Sequence, residues 1–160
     1  MKKYILFDND GVLVHTEPLY FIANIIALEE YFNISLEFEE YMKIMSEGTT
    51  VWQKAFEIGF SSHEIDKARN QRNLYYQNFL RTENILIPQV KEVLEKLSKK
   101  YKMGIVTTSR RVDFEIIHRN LGIVDYMDFV LCEEDYNYAK PHPEPYLKGL
   151  ELFKAKKEET

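Results

Sequence analysis

The sequence predicts an α/β protein: a parallel sheet interrupted by an inserted block of helices. Short apolar runs at 4–7, 103–106 and 129–132, rich in branched and aromatic side chains, read as buried strands. Helical patterns follow each of them, and strand–helix alternation implies parallel pairing through right-handed crossovers. Between the first two strands, residues 19–80 carry helical spacing and no strand signal.

The first strand stops at Asp8-Asn9-Asp10-Gly11. Along an extended backbone the i, i+2 spacing puts Asp8 and Asp10 on one side, past the carboxyl end where open α/β sheets build their ligand sites. Two acids so placed repel each other unless a cation, a shared proton or a substrate offsets the charge. The tetrapeptide also suits a turn, but Val12-Leu13-Val14 is too brief for a hairpin's return strand. A calcium loop counted from Asp8 would need glycine and glutamate where Leu13 and Leu19 stand.

Pro18 suits a first helical turn, and Leu19, Phe21, Ile22, Ile25, Ile26, Leu28 and Phe32 recur at near-helical spacing until Asn33. Ser35 is the expected cap of a second helix through Phe38, Tyr41, Met42 and Met45, which Gly48 breaks. A third segment runs from Thr50 to Gly59, and a fourth from Ser61 or Ser62 to about Leu80. Their aromatics and methionines are expected to pack between helices, and the polar run 69–73 to form a solvated face. Further on, Pro88 initiates a helix whose Val90, Val93, Leu94 and Leu97 face a core. Another helix runs from Arg111 to Leu121 and is closed by Gly122. The acidic triplet 133–135 reads as a solvated loop, and a last helix spans 144–153.

At 160 residues and 45% hydrophobic, the chain can hold one domain or a small core plus an inserted module. A formal net charge of −5 and the lack of a basic stripe argue against nucleic acid as a partner. No apolar run reaches membrane-spanning length, and the run before Asp8 is too short for a signal peptide. The single cysteine, Cys132, cannot form an internal disulfide, so a cytoplasmic location is expected.

Each strand ends in, or leads to, a group that suits a phosphate. Asp8 and Asp10 follow the first. Thr107, backed by the amides of Thr108 and Ser109 at a helix start, follows the second. The third leads to Lys140, which Pro141 follows. A carboxylate nucleophile, a hydroxyl and an ammonium around one spot meet the needs of phosphoryl transfer to an aspartate. Two acids facing a polyanionic substrate also need a hard divalent cation with oxygen ligands, and Mg²⁺ fits best.

Segments 7–13, 106–109 and 139–144 resemble the first three motifs of the haloacid dehalogenase superfamily of phosphohydrolases. The subgroup that the chain resembles includes phosphoglycolate phosphatase and β-phosphoglucomutase, and the similarity spans essentially the whole chain. The resemblance implies a Rossmann-like core, C-terminally incomplete, made of residues 1–15 and 85–160. An all-helical cap at 16–84 is inserted after the first motif. It implies that Asp8 attacks phosphorus and that Asp10 protonates the leaving oxygen and then deprotonates the hydrolytic water. Asp8 and the backbone carbonyl of Asp10 would hold Mg²⁺. Thr107 would bond the phosphoryl group and Lys140 balance the charge, with Thr108 and Ser109 adding substrate contacts. Glu17 matches the acid at the cap hinge, and Gly48-Thr49 the cap loop that reaches over the site.

A Mg²⁺-dependent phosphatase of small phosphorylated metabolites is therefore expected. Several residues depart from the family pattern: His15 stands in place of an aspartate and Gln89 in place of a glycine. Tyr20 and Val51 replace a histidine and an arginine of the mutases, which favours a phosphatase over a sugar phosphomutase. The fourth motif, a pair of acids after a further strand, has no match after Phe153. The sheet is accordingly expected to expose an edge beside the nucleophile, open to self-association. An inactive or partner-dependent fragment is the alternative.

Overall fold

The computed structural model describes residues 2–160, which run β1 (Tyr4–Phe7), α1 (Glu17–Phe32), α2 (Phe38–Ser46), α3 (Gln53–Ile58), α4 (Ser62–Thr82), α5 (Val90–Ser98), β2 (Lys102–Val106), α6 (Arg111–His118), β3 (Phe129–Leu131) and α7 (Glu144–Phe153). Residues 2–16 with 84–160 form one compact unit and residues 17–83 another.

In the first unit the sheet is parallel, in the order β1-β2-β3, with Leu6 opposite Gly104 and Gly104 opposite Phe129. Met103, Ile105 and Val106 of the central strand are fully buried, and Leu94, Phe114, Ile117 and Ile123 complete that core. Helix α7 lies against all three strands. Its Phe153 ring sits 4.8 Å from Tyr4 and 4.7 Å from Phe129. Gly149 lets α7 close on the sheet, since a Cβ there would lie 2.9 Å from the Leu6 methyls. Strand β1 is an edge, and among the described residues no further strand pairs with it. Just before β1, Lys3 ties to Glu159 through its backbone N–H (2.8 Å) and its ammonium (2.7 Å).

In the helical unit, Ala27, Leu28, Phe32, Ile34, Leu36, Tyr41, Val51, Trp52, Ala55, Ile65 and Ala68 form the core. Ser61 and Glu64 make a reciprocal capping box that starts α4. Among the described residues no helix is long and apolar enough to cross a membrane.

Several local expectations need correction. Helix α2 starts at Phe38, because the extended stretch before it inserts Ile34 and Leu36 into the core. Phe38, Met42, Met45, Phe56 and Ile58 are exposed, since α2 and α3 bury only Tyr41 and Ala55 respectively. Arg72 is buried rather than solvated: its Nη1 donates to Asn24 Oδ1 (2.9 Å) and its guanidinium lies 4.5 Å from the Tyr20 ring centre. Val93 is half-exposed. Helix α6 ends at His118, where a tight turn takes over before Gly122 (φ 64°). Glu133 and Glu134 are exposed, as a solvated loop requires, but both carboxylate oxygens of Glu134 also accept from the Arg111 N–H (3.0 Å each) and so cap α6.

Candidate active site

Past β1 the chain winds tightly around Asn9, whose carbonyl accepts the N–H groups of Val12 (3.2 Å), Leu13 (2.8 Å) and Val14 (3.3 Å). Gly11 allows the winding with φ 74°, a region that costs other residues strain. Flanking Asn9, the two acids meet different partners.

Oδ1 of Asp8 accepts the Asn9 N–H at 2.7 Å and pairs with the Lys140 ammonium at 2.7 Å. Among the described residues nothing bonds its Oδ2, and the carboxylate is 44% exposed, so this oxygen is open to a ligand. Lys140 is mostly buried and also donates to the Val106 carbonyl (3.2 Å), which aims the cation across the end of β2. Its loop is braced by Glu144, which accepts from Asn137 N (3.0 Å), Asn137 Nδ2 (3.0 Å) and Tyr138 N (2.9 Å). These donors, the Asn137 N–H foremost, hold the Glu144 carboxyl below the usual range. The Lys140–Pro141 peptide is cis.

Asp10 gathers hydroxyls. Its Oδ2 accepts from Ser109 Oγ (2.7 Å), Thr107 Oγ1 (3.1 Å) and Asn9 Nδ2 (3.3 Å), while its Oδ1 accepts from Thr16 Oγ1. A hydroxyl can turn from donor to acceptor, so this cluster can follow a proton onto and off the carboxylate. Thr107 is fully buried and fixed from three sides. Its N–H bonds Leu131 O (2.9 Å), its carbonyl accepts the Tyr136 hydroxyl (2.7 Å), and its Oγ1 accepts the Ser109 N–H (3.1 Å). Burial pushes the Tyr136 hydroxyl up to about 12, so it stays a donor.

Behind the loop, Asn9 Oδ1 lies 2.7 Å from His118 Nε2, with both residues buried. Burial pushes the His118 pKa down to about 4, against a weaker upward pull from the Asp10 charge. A neutral ring facing a carboxamide oxygen donates from Nε2.

The structure thus brings Asp8, Asp10, Thr107, Ser109 and Lys140 to one end of the sheet, with Thr108 exposed beside them. Ser109 turns its hydroxyl onto Asp10. Glu17, Gly48 and Thr49 belong to the helical unit. There Glu17 opens α1, Gly48 adopts φ 71° after α2, and Thr49 Oγ1 donates to Ile44 O (3.0 Å). The sequence reading missed Asn9, Thr16, His118 and Tyr136. A histidine four residues after Phe114, on the buried face of α6, was the one available signal.

A sequence model of the haloacid dehalogenase-like hydrolases matches residues 5–160. The pyrophosphatase PpaX of Bacillus mycoides is 30% identical over 160 residues, spanning 98% of this chain and 71% of that protein. A predicted phosphoglycolate phosphatase from Haemophilus somnus is 26% identical, with a TM-score of 0.79 over 96% of this chain and 72% of that one. CbbY from Rhodobacter sphaeroides, solved in complex with phosphate, is 19% identical with a TM-score of 0.80, over 99% of this chain and 76% of that one. At that identity the likeness is one of fold.

Proposed function

We propose, from the premise that this chain belongs to the haloacid dehalogenase-like hydrolases, that it is a Mg²⁺-dependent phosphatase of small phosphorylated metabolites working through an aspartyl-phosphate. The observation that carries this reading is Asp8, one oxygen paired with Lys140 at 2.7 Å and the other open, beside an acid held by hydroxyls.

In the proposed cycle Asp8 Oδ2 attacks phosphorus, an O–P bond forms, and the ester O–P bond breaks. The leaving oxygen takes a proton from Asp10. Water then attacks the phosphoryl group and gives a proton to Asp10 while the Asp8 Oδ2–P bond breaks, so that phosphate departs with Asp8 again a carboxylate and Asp10 again protonated. Lys140 offsets the charge that Asp8 and the phosphoryl oxygens bring together. The Thr108 N–H, which bonds no acceptor among the described residues, supplies a donor for those oxygens, and the Thr107 hydroxyl supplies another once it turns from Asp10 Oδ2.

The Asp8 carboxylate and the main-chain oxygen of Asp10 are hard donors, a set that fits Mg²⁺ better than a softer metal. Bound there, the ion would supply Lewis-acid neutralisation of the phosphoryl charge. The helical unit, residues 17–83, is proposed as the cap, and Glu17, Gly48 and Thr49 as the residues it contributes to substrate binding. Tyr20 packs on Tyr76 at 5.1 Å and Val51 is buried, so both of these mutase positions serve packing, which supports hydrolysis over isomerisation. The buried, undisulfided Cys132 suits a cytoplasmic enzyme.

The test is phosphate release from p-nitrophenyl phosphate, phosphoglycolate and pyrophosphate, with and without Mg²⁺, for wild type and Asp8→Asn. Asp8→Asn should abolish turnover while circular dichroism is unchanged, and wild-type turnover in that variant would rule out the covalent route. Size-exclusion chromatography separates the alternative, for which a metal-indifferent, inactive oligomer would speak.

A further inference from the structure

We propose that His118 is a positioning residue for the acid–base carboxylate, acting through Asn9: its Nε2–H fixes which end of the Asn9 carboxamide faces Asp10. The proposal rests on the reading of Asp10 as the proton-transfer group. Asn9 has no solvent exposure, and its side chain touches two polar partners, His118 Nε2 at 2.7 Å and Asp10 Oδ2 at 3.3 Å. A carboxamide has one donor end and one acceptor end of nearly equal shape. Turned one way, Nδ2 donates to Asp10; turned by half a rotation, Oδ1 would face the carboxylate, acceptor against acceptor. The donor on His118 selects the first arrangement.

Nothing else explains an imidazole at this place. The ring is buried against Phe114, centroids 4.2 Å apart, where a leucine would pack at no desolvation cost. Its Nδ1 is buried with no partner, so the histidine leaves one nitrogen unsatisfied in order to present the other to Asn9. The loop backbone does not depend on it, because the Asn9 carbonyl already holds the N–H groups of Val12, Leu13 and Val14. What His118 adds is orientation.

The test is a kinetic series on His118→Leu and His118→Gln with two substrates, p-nitrophenyl phosphate and β-glycerophosphate. General acid–base groups contribute roughly 10²–10⁴-fold, so His118→Leu should lower kcat for β-glycerophosphate by about 10–100-fold with KM little changed. The loss should be smaller for p-nitrophenyl phosphate, whose leaving group needs little protonation. The amide N–H of His118→Gln should restore most of kcat. In an Asn9→Leu background, His118→Leu should add no further loss. A wild-type kcat in His118→Leu, or an equal loss on both substrates with no rescue by glutamine, would overturn the proposal. A long-range ¹H–¹⁵N spectrum of the wild-type protein at neutral pH gives an independent check on folded material. The proton should reside on Nε2, and a proton on Nδ1 would also overturn it. Asp8→Asn measured alongside separates the two ideas: full turnover there sinks the aspartyl-phosphate reading on which this inference rests, whereas an inert Asp8→Asn with unaffected His118 variants sinks only this inference.

Discussion

Thr16→Val removes one hydroxyl and keeps the side chain's shape, which makes it a sharp probe of the acid–base cluster. Thr16 is 1% exposed and donates to Asp10 Oδ1, the one bond on that oxygen among the described residues. A hydrogen bond to a charged group contributes about 1.5–3 kcal/mol, and here the carboxylate oxygen would be left without its donor. With a urea m-value of about 2 kcal/mol/M for a chain of this size, the unfolding midpoint should fall by about 1 M. Activity should fall as well, by about tenfold in kcat, since Asp10 would then be pinned through Oδ2 alone and could rotate away from the leaving oxygen. Thr16→Ser is the matched control. It keeps the donor and loses a buried methyl, at a cost of about 0.5–1.5 kcal/mol, with kcat near wild type. Urea melts and phosphate-release kinetics on both variants decide the matter. If valine is no more harmful than serine in both assays, the hydroxyl contributes nothing beyond its packing, and the account of Asp10 as a preorganised carboxylate is wrong.

Three other outcomes follow from single observations. Glu134→Ala removes the carboxylate that caps α6 and should cost about 1 kcal/mol in urea melts, while the Arg111–Asp135 pair persists; an unchanged midpoint would show the cap to be idle. Gln89 sits at φ 67° before α5, so Gln89→Gly should raise stability by about 0.5–1 kcal/mol, the relief of strain exceeding the added unfolded-state entropy; a loss on substitution would contradict the strain. His118 has a folded pKa of about 4 against the usual 6.5, so the unfolded chain binds the extra proton and stability falls as pH drops from 6.5 towards 4. The loss, about 3 kcal/mol at most, should appear in the difference between wild-type and His118→Gln stability curves, and a flat difference would refute it.

The parts of this site that the sequence made legible are those whose positions the backbone dictates. Asp8, Asp10 and Thr107 follow strand ends directly, and Lys140 lies in the loop after the third, so strand prediction and parallel topology already bring them together. The helical insert was legible for the same reason, as 3.6-residue spacing needs no tertiary information, and Gln89 stood out only as a departure from the family's glycine, whose reason is its φ of 67°. Asn9 and His118 were not, because their pairing arises only when distant segments converge, across 109 residues of sequence; Thr16 lies only six residues from Asp10, yet no periodicity tells that its hydroxyl turns back onto that carboxylate. Asn9 passed for turn chemistry, which is also true of its backbone. Arg72 shows the same blind spot in the helical unit, standing on the α4 stripe of Ile65, Ala68 and Tyr76 yet reading locally as part of a polar run. In both helices the overlooked residue is a polar side chain in register with buried apolar neighbours. Burial of such a group is costly unless a partner meets it, so its register alone announces that a partner exists. Which partner it is depends on the other element, and that is the information that periodicity within one helix cannot carry.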